Sequence, residues 1–174
     1  FYHFVKKADT YRRAKEIHRN NLTLDSHTDT PLRFKGTYDI GNREKTRVCL
    51  PKMEEGWLDG QYLACWVKQG KCDAENTKKA VERVNFLING VKNQVEKNKD
   101  RVEIATTPKD FKRIKAEGKK TFFIGIENAY GVGSTLKDIQ RVKDLGVTYI
   151  TLCHTKNNDY CDSSSDKEVR WNGL

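Results

Sequence analysis

Four short apolar segments with strong β-propensity alternate with amphipathic helical patterns, and this alternation restricts the possible folds more than any other feature of the chain. The predicted strands cover residues 22–27, 61–67, 121–126 and 147–153. Strands that alternate with helices are typical of a parallel sheet whose neighbouring strands are joined by helical crossovers. We therefore predict an α/β fold.

The helical patterns cover residues 10–20, 74–97, 107–117 and 134–145. Within the longest, apolar residues recur three and four positions apart, which predicts a face that packs against the core. Those residues are Val81, Val84, Ile88, Val91 and Val95. Residues 34–47 are rich in glycine and charge and are predicted to be a loop outside the core. Residues 102–105 fit either a minor strand or a turn.

Chemically active side chains follow three of the predicted strands. His27 and Asp29 end the first strand and are two residues apart, so both can point to the same side. Glu127 ends the third strand and His154 the fourth. Taken singly, Glu127 could be a neighbour of a helix N-cap and His154 a loop histidine bonded to backbone. Because ligand chemistry collects at the carboxyl ends of parallel strands, we expect the four to form a metal or acid–base site. Their nitrogen and oxygen atoms suit Zn, Mn or Fe.

The chain carries a formal net charge of +9, from 33 basic and 24 acidic residues. This excess makes nucleic-acid binding one function to consider. The basic residues are spread along the chain and interleaved with acidic ones, and no nucleic-acid-binding motif accompanies them, so we expect no nucleic-acid partner. No segment approaches the ~18 consecutive apolar residues of a membrane span.

The cysteines are odd in number and include no Cys-x-x-Cys pair, which argues against a zinc ribbon and against a complete disulfide framework. They are Cys49, Cys65, Cys72, Cys153 and Cys161. One bridge, between Cys153 and Cys161, stays open because these residues flank a polar segment. Otherwise Cys65 and Cys153 are expected to be buried free thiols, since both lie in apolar runs.

Three segments, in this order along the chain, carry a family resemblance. They are residues 25–31 (Asp-Ser-His-Thr-Asp-Thr-Pro), residues 124–130 (Ile-Gly-Ile-Glu-Asn-Ala-Tyr) and residues 145–158, which contain Thr-Leu-Cys-His. They resemble the metal and substrate motifs of the membrane (renal) dipeptidase family, the zinc-dependent M19 peptidases, and the bacterial branch in particular. Residues 50–53 and the strand that follows them are also similar to the second-strand region of that family.

The resemblance implies a TIM-like (β/α)8 barrel of the metal-dependent hydrolase type, of which residues 1–174 would form the N-terminal portion of a single domain. It further implies two zinc ions and a dipeptide substrate. His27 and Asp29 would bind one zinc ion, Glu127 would be the catalytic carboxylate that bridges both ions, and His154 would contact the substrate near the scissile bond. Two close cations would polarise the amide carbonyl and lower the pKa of a bridging water molecule.

A complete barrel of this type typically needs about 250 residues, whereas this chain has 174 residues and no histidine after His154. The two further histidine ligands and the catalytic acidic residue of the family would come from later strands. We therefore expect a missing or separate C-terminal segment of the same barrel to be a partner, and we expect no dipeptidase activity from this chain alone. The chain begins without an initiator methionine or a leader, so a targeting signal would have been removed or not included. The resemblance suggests a homodimer and export to the bacterial periplasm.

Other interpretations stay open at this point. The chain could belong to a family member that has lost catalysis and acts as a binding or scaffold protein, or it could be a basic nucleic-acid-binding domain. A different hydrolase of the wider amidohydrolase group is disfavoured, because that group usually opens with His-x-His and Asp29 stands in the place of the second histidine. The ligand types would also accept Mn or Co, and the preferred dipeptide side chains are left open.

Overall fold

The computed structural model describes residues 2–171, which are organised around one parallel five-stranded sheet. The strands are β1 (Leu24–Thr28), β2 (Gly60–Trp66), β3 (Val102–Ile104), β4 (Lys120–Glu127) and β5 (Val147–Thr151). The α-helices are α1 (Tyr2–Asn20), α2 (Leu50–Glu55), α3 (Ala74–Lys97), α4 (Pro108–Ala116) and α5 (Leu136–Asp144). Short 3₁₀ helices follow β1 and β4, at Thr30–Arg33 and Ala129–Gly131.

The order of the strands is that of a barrel wall. β1 pairs with β2, and β2 pairs with β4 along its whole length. The other side of β4 is shared, because β3 pairs with its first residues and β5 with its last. The long strands are thus neighbours in the order in which they occur along the chain, as in a (β/α) barrel and unlike a doubly wound sheet. The predicted parallel sheet is confirmed, and residues 102–104 form a strand.

One face of the sheet packs against α3. Its predicted apolar face is confirmed for Val84, Ile88 and Val91, which are buried together with Leu63 and Ile124 from the sheet. The helix begins at a capped position, since the carboxylate of Asp73 accepts a hydrogen bond from the backbone N–H of Asn76 at 2.8 Å. The two ends of the predicted stripe, Val81 and Val95, are only half-buried. The first helix matches its prediction less closely, since α1 begins well before residue 10.

The prediction that residues 34–47 lie outside the core is wrong for two of them. Phe34 and Ile40 are buried against α3. The side chain of Gln94 on α3 holds this segment: its Oε1 accepts a hydrogen bond from the N–H of Ile40 at 2.8 Å, and its Nε2 donates to the carbonyl of Tyr38 at 3.0 Å. Isolated apolar residues in a charged segment have no periodicity, so only the contact with a distant helix reveals their burial.

The opposite face of the sheet carries aromatic side chains near the start of the strands. Tyr62 stacks on Phe123 with 4.8 Å between ring centroids, and Phe111 of α4 meets Phe123 edge-on at 5.3 Å. α4 is tied to the beginning of β2 by an ion pair, in which Lys115 Nζ lies 2.7 Å from Asp59 Oδ2. α4 therefore covers the amino ends of the strands, and the carboxyl ends remain available for polar groups.

All five cysteines are free, so the bridge left open between Cys153 and Cys161 is not formed. Cys65 is buried, as predicted, and burial raises the pKa of its thiol to about 12. The prediction that Cys153 is buried is wrong, because this residue lies beyond the end of β5 and is half-exposed.

Among residues 2–171, no helix is both long enough and apolar enough to cross a bilayer.

The contact between Gln94 and the segment at residues 38–40 makes a stability prediction. Replacing Gln94 with leucine leaves a buried N–H and a buried carbonyl without their partner, which should lower the free energy of unfolding by about 1–3 kcal/mol. Urea unfolding followed by circular dichroism measures this. Asn89→Leu, at an exposed position on the same helix, is the control and should change stability by less than about 0.5 kcal/mol. Equal effects of the two substitutions would contradict the proposed role of Gln94.

Candidate metal centre

The end of β1 is shaped by hydrogen bonds that the segment makes with itself and with β2. The carboxylate of Asp25 accepts from the backbone N–H of His27 at 2.9 Å and from Gln61 Nε2 at 3.1 Å. The hydroxyls of Thr28 and Thr30 bond to each other at 2.9 Å, and both threonines are buried. Alternate residues therefore point into the protein, and the residues between them point toward the open edge of the sheet.

At that edge, His27, Asp29 and Glu127 come together. His27 Nε2 lies 3.4 Å from Glu127 Oε2 and 3.7 Å from Asp29 Oδ1. One ligand atom from each of the three residues lies within 4.8 Å of the other two. β1 and β4 are separated in the sheet by β2, so the convergence depends on the sheet and not on the local sequence. The predicted meeting of these three side chains is confirmed.

His154 faces the same carboxylate from the other side. Its Nε2 lies 3.5 Å from Glu127 Oε1, whereas His27 faces Oε2. The rings of Trp66, at the end of β2, and His154 meet at a steep angle, with 5.9 Å between their centroids. The glutamate side chain is 15% exposed and His154 is 39% exposed. Glu127 is therefore a partly buried carboxylate between two accessible imidazoles.

A tyrosine that the sequence analysis did not select also reaches the centre. The hydroxyl of Tyr149 lies 3.4 Å from His27 Nδ1, on the side of the imidazole away from Glu127. Its ring lies over Gly125, where a Cβ atom would be only 2.3 Å from Tyr149 Cζ. Burial, followed by the negative charge of Glu127, raises the pKa of Tyr149 to about 12, so the phenol is neutral at pH 7. A glycine inside a strand often marks the close approach of another group, so Gly125 was the feature of the sequence that could have indicated a side chain packed over β4.

Two buried asparagines, also missed, connect the ends of three strands. Asn158 Nδ2 donates to Asn128 Oδ1 at 3.0 Å and to the carbonyl of Leu152, beyond β5, at 2.7 Å. Asn128 Nδ2 donates in turn to the carbonyl of Val67, beyond β2, at 3.2 Å. Asn128 has φ of +85°, in the left-handed region that asparagine tolerates better than most residues. This network fixes the segments that carry the glutamate and the second histidine.

The donor atoms suit a divalent cation. An imidazole nitrogen and carboxylate oxygens are common ligands of zinc and manganese, and two carboxylates supply charge to balance the ion. A ligating histidine usually has a hydrogen-bond partner at its other ring nitrogen, and Tyr149 is in that position for His27. His27, Asp29 and Glu127 therefore fit a metal ion.

Comparisons with known proteins agree with this geometry. The family model described as membrane dipeptidase, peptidase family M19, matches residues 11–174. Dipeptidase ataJ of Aspergillus terreus is 27% identical over 168 residues, which are 90% of this chain and 41% of ataJ. The crystal structure of PvdM, a probable dipeptidase of Pseudomonas aeruginosa, superposes with a TM-score of 0.76 at 28% identity, over 88% of this chain and 40% of PvdM.

A more distant neighbour shows the fold alone. It is a metallo peptidase of Rhodobacter sphaeroides, solved with a phosphinate mimic of the dipeptide L-Ala-D-Ala, with a TM-score of 0.69 at 16% identity over 79% of this chain and 46% of that protein. The chain thus spans about two fifths of the length of the relatives it matches. Since the family model extends over nearly all of the sequence and the fold agrees with it, this chain belongs to the membrane dipeptidase family, peptidase family M19.

Proposed function

We propose that this chain is the part of a zinc-dependent dipeptidase that carries the first half of a dinuclear metal centre, and that the complete protein hydrolyses the amide bond of dipeptides. The observation that supports this most directly is the convergence of His27, Asp29 and Glu127, with ligand atoms within 4.8 Å of one another. The relatives ataJ and PvdM are named as a dipeptidase and a probable dipeptidase.

In this proposal, His27 and Asp29 hold one zinc ion and Glu127 bridges two. The bridging role is supported by the two oxygens of Glu127, which face different imidazoles. When bound, the two ions would supply Lewis acidity toward the peptide carbonyl and lower the pKa of a water molecule. The carboxylate also offsets the repulsion between two cations.

His154 is proposed to bind the substrate beside the scissile bond. It lies within 3.5 Å of Glu127 but is not one of the three clustered ligands. Its accessible imidazole can donate a hydrogen bond to an oxygen that gains negative charge as the amide is attacked. Trp66 restricts the orientation of the ring by packing against it edge-on.

The rest of the centre is proposed to come from the C-terminal part of the same barrel. Within residues 2–171, His27, Asp29 and Glu127 form the one cluster of metal-ligand type, and three ligands do not complete a dinuclear site. The share of the relatives' length that the chain spans is consistent with this. We accordingly expect residues 1–174 alone to be inactive. Dimerisation and export from a bacterial cytoplasm stay predictions.

Substituting the bridging carboxylate tests the proposed function. In the complete protein, Glu127→Gln should remove one of two bound zinc ions per protomer and lower kcat/KM for Gly- or Ala-containing dipeptides by about a hundredfold or more, because an amide cannot balance the charge of two cations. Elemental analysis by mass spectrometry and a ninhydrin assay measure the two effects. The control is Glu82→Gln on the exposed side of α3, which should change neither. A wild-type protein that binds metal without cleaving dipeptides would favour a scaffold function instead.

The contact between Tyr149 and His27 makes a separate prediction about metal affinity. Tyr149→Phe removes the hydrogen-bond partner of the imidazole and should weaken zinc binding about tenfold to a hundredfold, with an unchanged circular dichroism spectrum. Titration against a chromophoric chelator gives the affinity. Tyr62→Phe is the matched control, since Tyr62 packs in the same aromatic group but its hydroxyl makes no hydrogen bond to the metal ligands. Unaltered zinc affinity in Tyr149→Phe would show that the contact does not orient the ligand.

A further inference from the structure

A cavity of about 440 Å³ lies directly beside the metal-ligand side chains. His27 and Asp29 line it together with three basic side chains and three threonines, which are Arg33, Lys45, Arg47, Thr28, Thr30 and Thr46. Among residues 2–171, Asp29 is the one acidic side chain that lines this cavity, and the proposed function assigns it to zinc. The cavity therefore contains two of the candidate metal ligands and three basic side chains.

These three cations have no counter-ions within the described part of the chain. Arg33, Lys45 and Arg47 are exposed, and none of them forms an ion pair with a carboxylate of residues 2–171 within 4.0 Å. Other arginines near this segment are paired: Arg43 contacts Glu55, and Arg101 contacts Glu54 at 2.8 Å. Three unpaired cations thus line one cavity beside the metal ligands.

The segment that carries two of these cations is held in place. The Thr46 hydroxyl is 2.8 Å from the hydroxyl of Tyr38 and donates to the carbonyl of Val48 at 2.9 Å. The ammonium group of Lys52, on α2, donates to the carbonyl of Thr46. Lys45 and Arg47 flank this anchored residue, so the backbone that presents them to the cavity is fixed.

We propose that this cavity binds a side-chain carboxylate of the substrate, and that the enzyme prefers dipeptides containing aspartate or glutamate. The inference rests on the proposed function. Every dipeptide has one α-carboxylate, for which a single guanidinium provides a bidentate partner. Three cations without internal counter-ions can neutralise a second carboxylate as well. The same charges would attract a dianionic dipeptide more strongly than a singly charged one.

The test compares isosteric substrates in the zinc-loaded complete protein. We expect kcat/KM to be about tenfold higher for an acidic dipeptide than for its amide, with Ala-Glu compared against Ala-Gln and Glu-Ala against Gln-Ala. In Arg47→Gln and in Arg33→Gln, the ratio of kcat/KM for the acidic dipeptide to kcat/KM for its amide should fall by a similar factor. Arg43→Gln, outside the cavity, is the control and should keep the preference.

Two other outcomes overturn the inference in distinguishable ways. Equal losses for acidic and amide substrates would mean that the cavity binds the α-carboxylate common to both. Hydrolysis of all four dipeptides without preference would leave the proposed function standing and remove the acidic specificity. If none is hydrolysed, the proposed function fails, and the catalytic preference fails with it; whether the cavity binds a side-chain carboxylate is then decided by binding measurements. Calorimetric titration of Glu127→Gln with the same dipeptides should then still show tighter binding of the acidic ones, and equal affinities would refute it.

Discussion

The pairing of β2 with β4 is the constraint on which the rest of the structure depends. The two strands run in register from Gly60 opposite Thr121 to Trp66 opposite Glu127. Because side chains alternate between the two faces, this register sends Phe122 and Ile124 toward α3 and leaves Glu127 at the open edge. A slip of one residue would exchange the faces, bury the carboxylate among apolar side chains and expose the core. The position of the candidate metal centre thus follows from the burial of apolar side chains that lie a few residues earlier in the same strands.

The same arrangement explains why the centre can remain polar and open. The amino ends of the strands are covered by α4 and an aromatic group, so the core is closed where no chemistry is needed. The carboxyl ends carry His27, Asp29, Glu127 and His154, which are partly exposed, and are joined from below by the buried amides of Asn128 and Asn158. A buried amide network of this kind is stable only when its donors and acceptors have partners, and these contacts supply them.

The positions of the basic side chains are more informative about function than the net charge of the chain. A net charge of +9 first suggested contact with a polyanion, or simply solvated helix faces. In the structure, several surface cations are neutralised by neighbouring carboxylates, as Arg101 is by Glu54 and Arg113 by Glu117. Arg33, Lys45 and Arg47 have no such partner among the described residues and lie next to the metal-ligand group. The proposed preference for acidic dipeptides depends on this placement, which the overall charge does not reveal.

The sequence by itself determined the elements and the residue types of the centre. Hydrophobic periodicity located the long strands to within about two residues and the buried face of α3 in its central part, because periodicity reports local geometry. The rule that parallel strands end at one edge was enough to group His27, Asp29 and Glu127. Only the tertiary structure decided that Tyr149 reaches His27, that Asn128 bonds to Asn158, that Ile40 is buried against α3, and that Arg47 lies beside the metal ligands. Each of these is a contact between residues distant in sequence, and no local pattern records it because the partners are brought together only when the sheet forms.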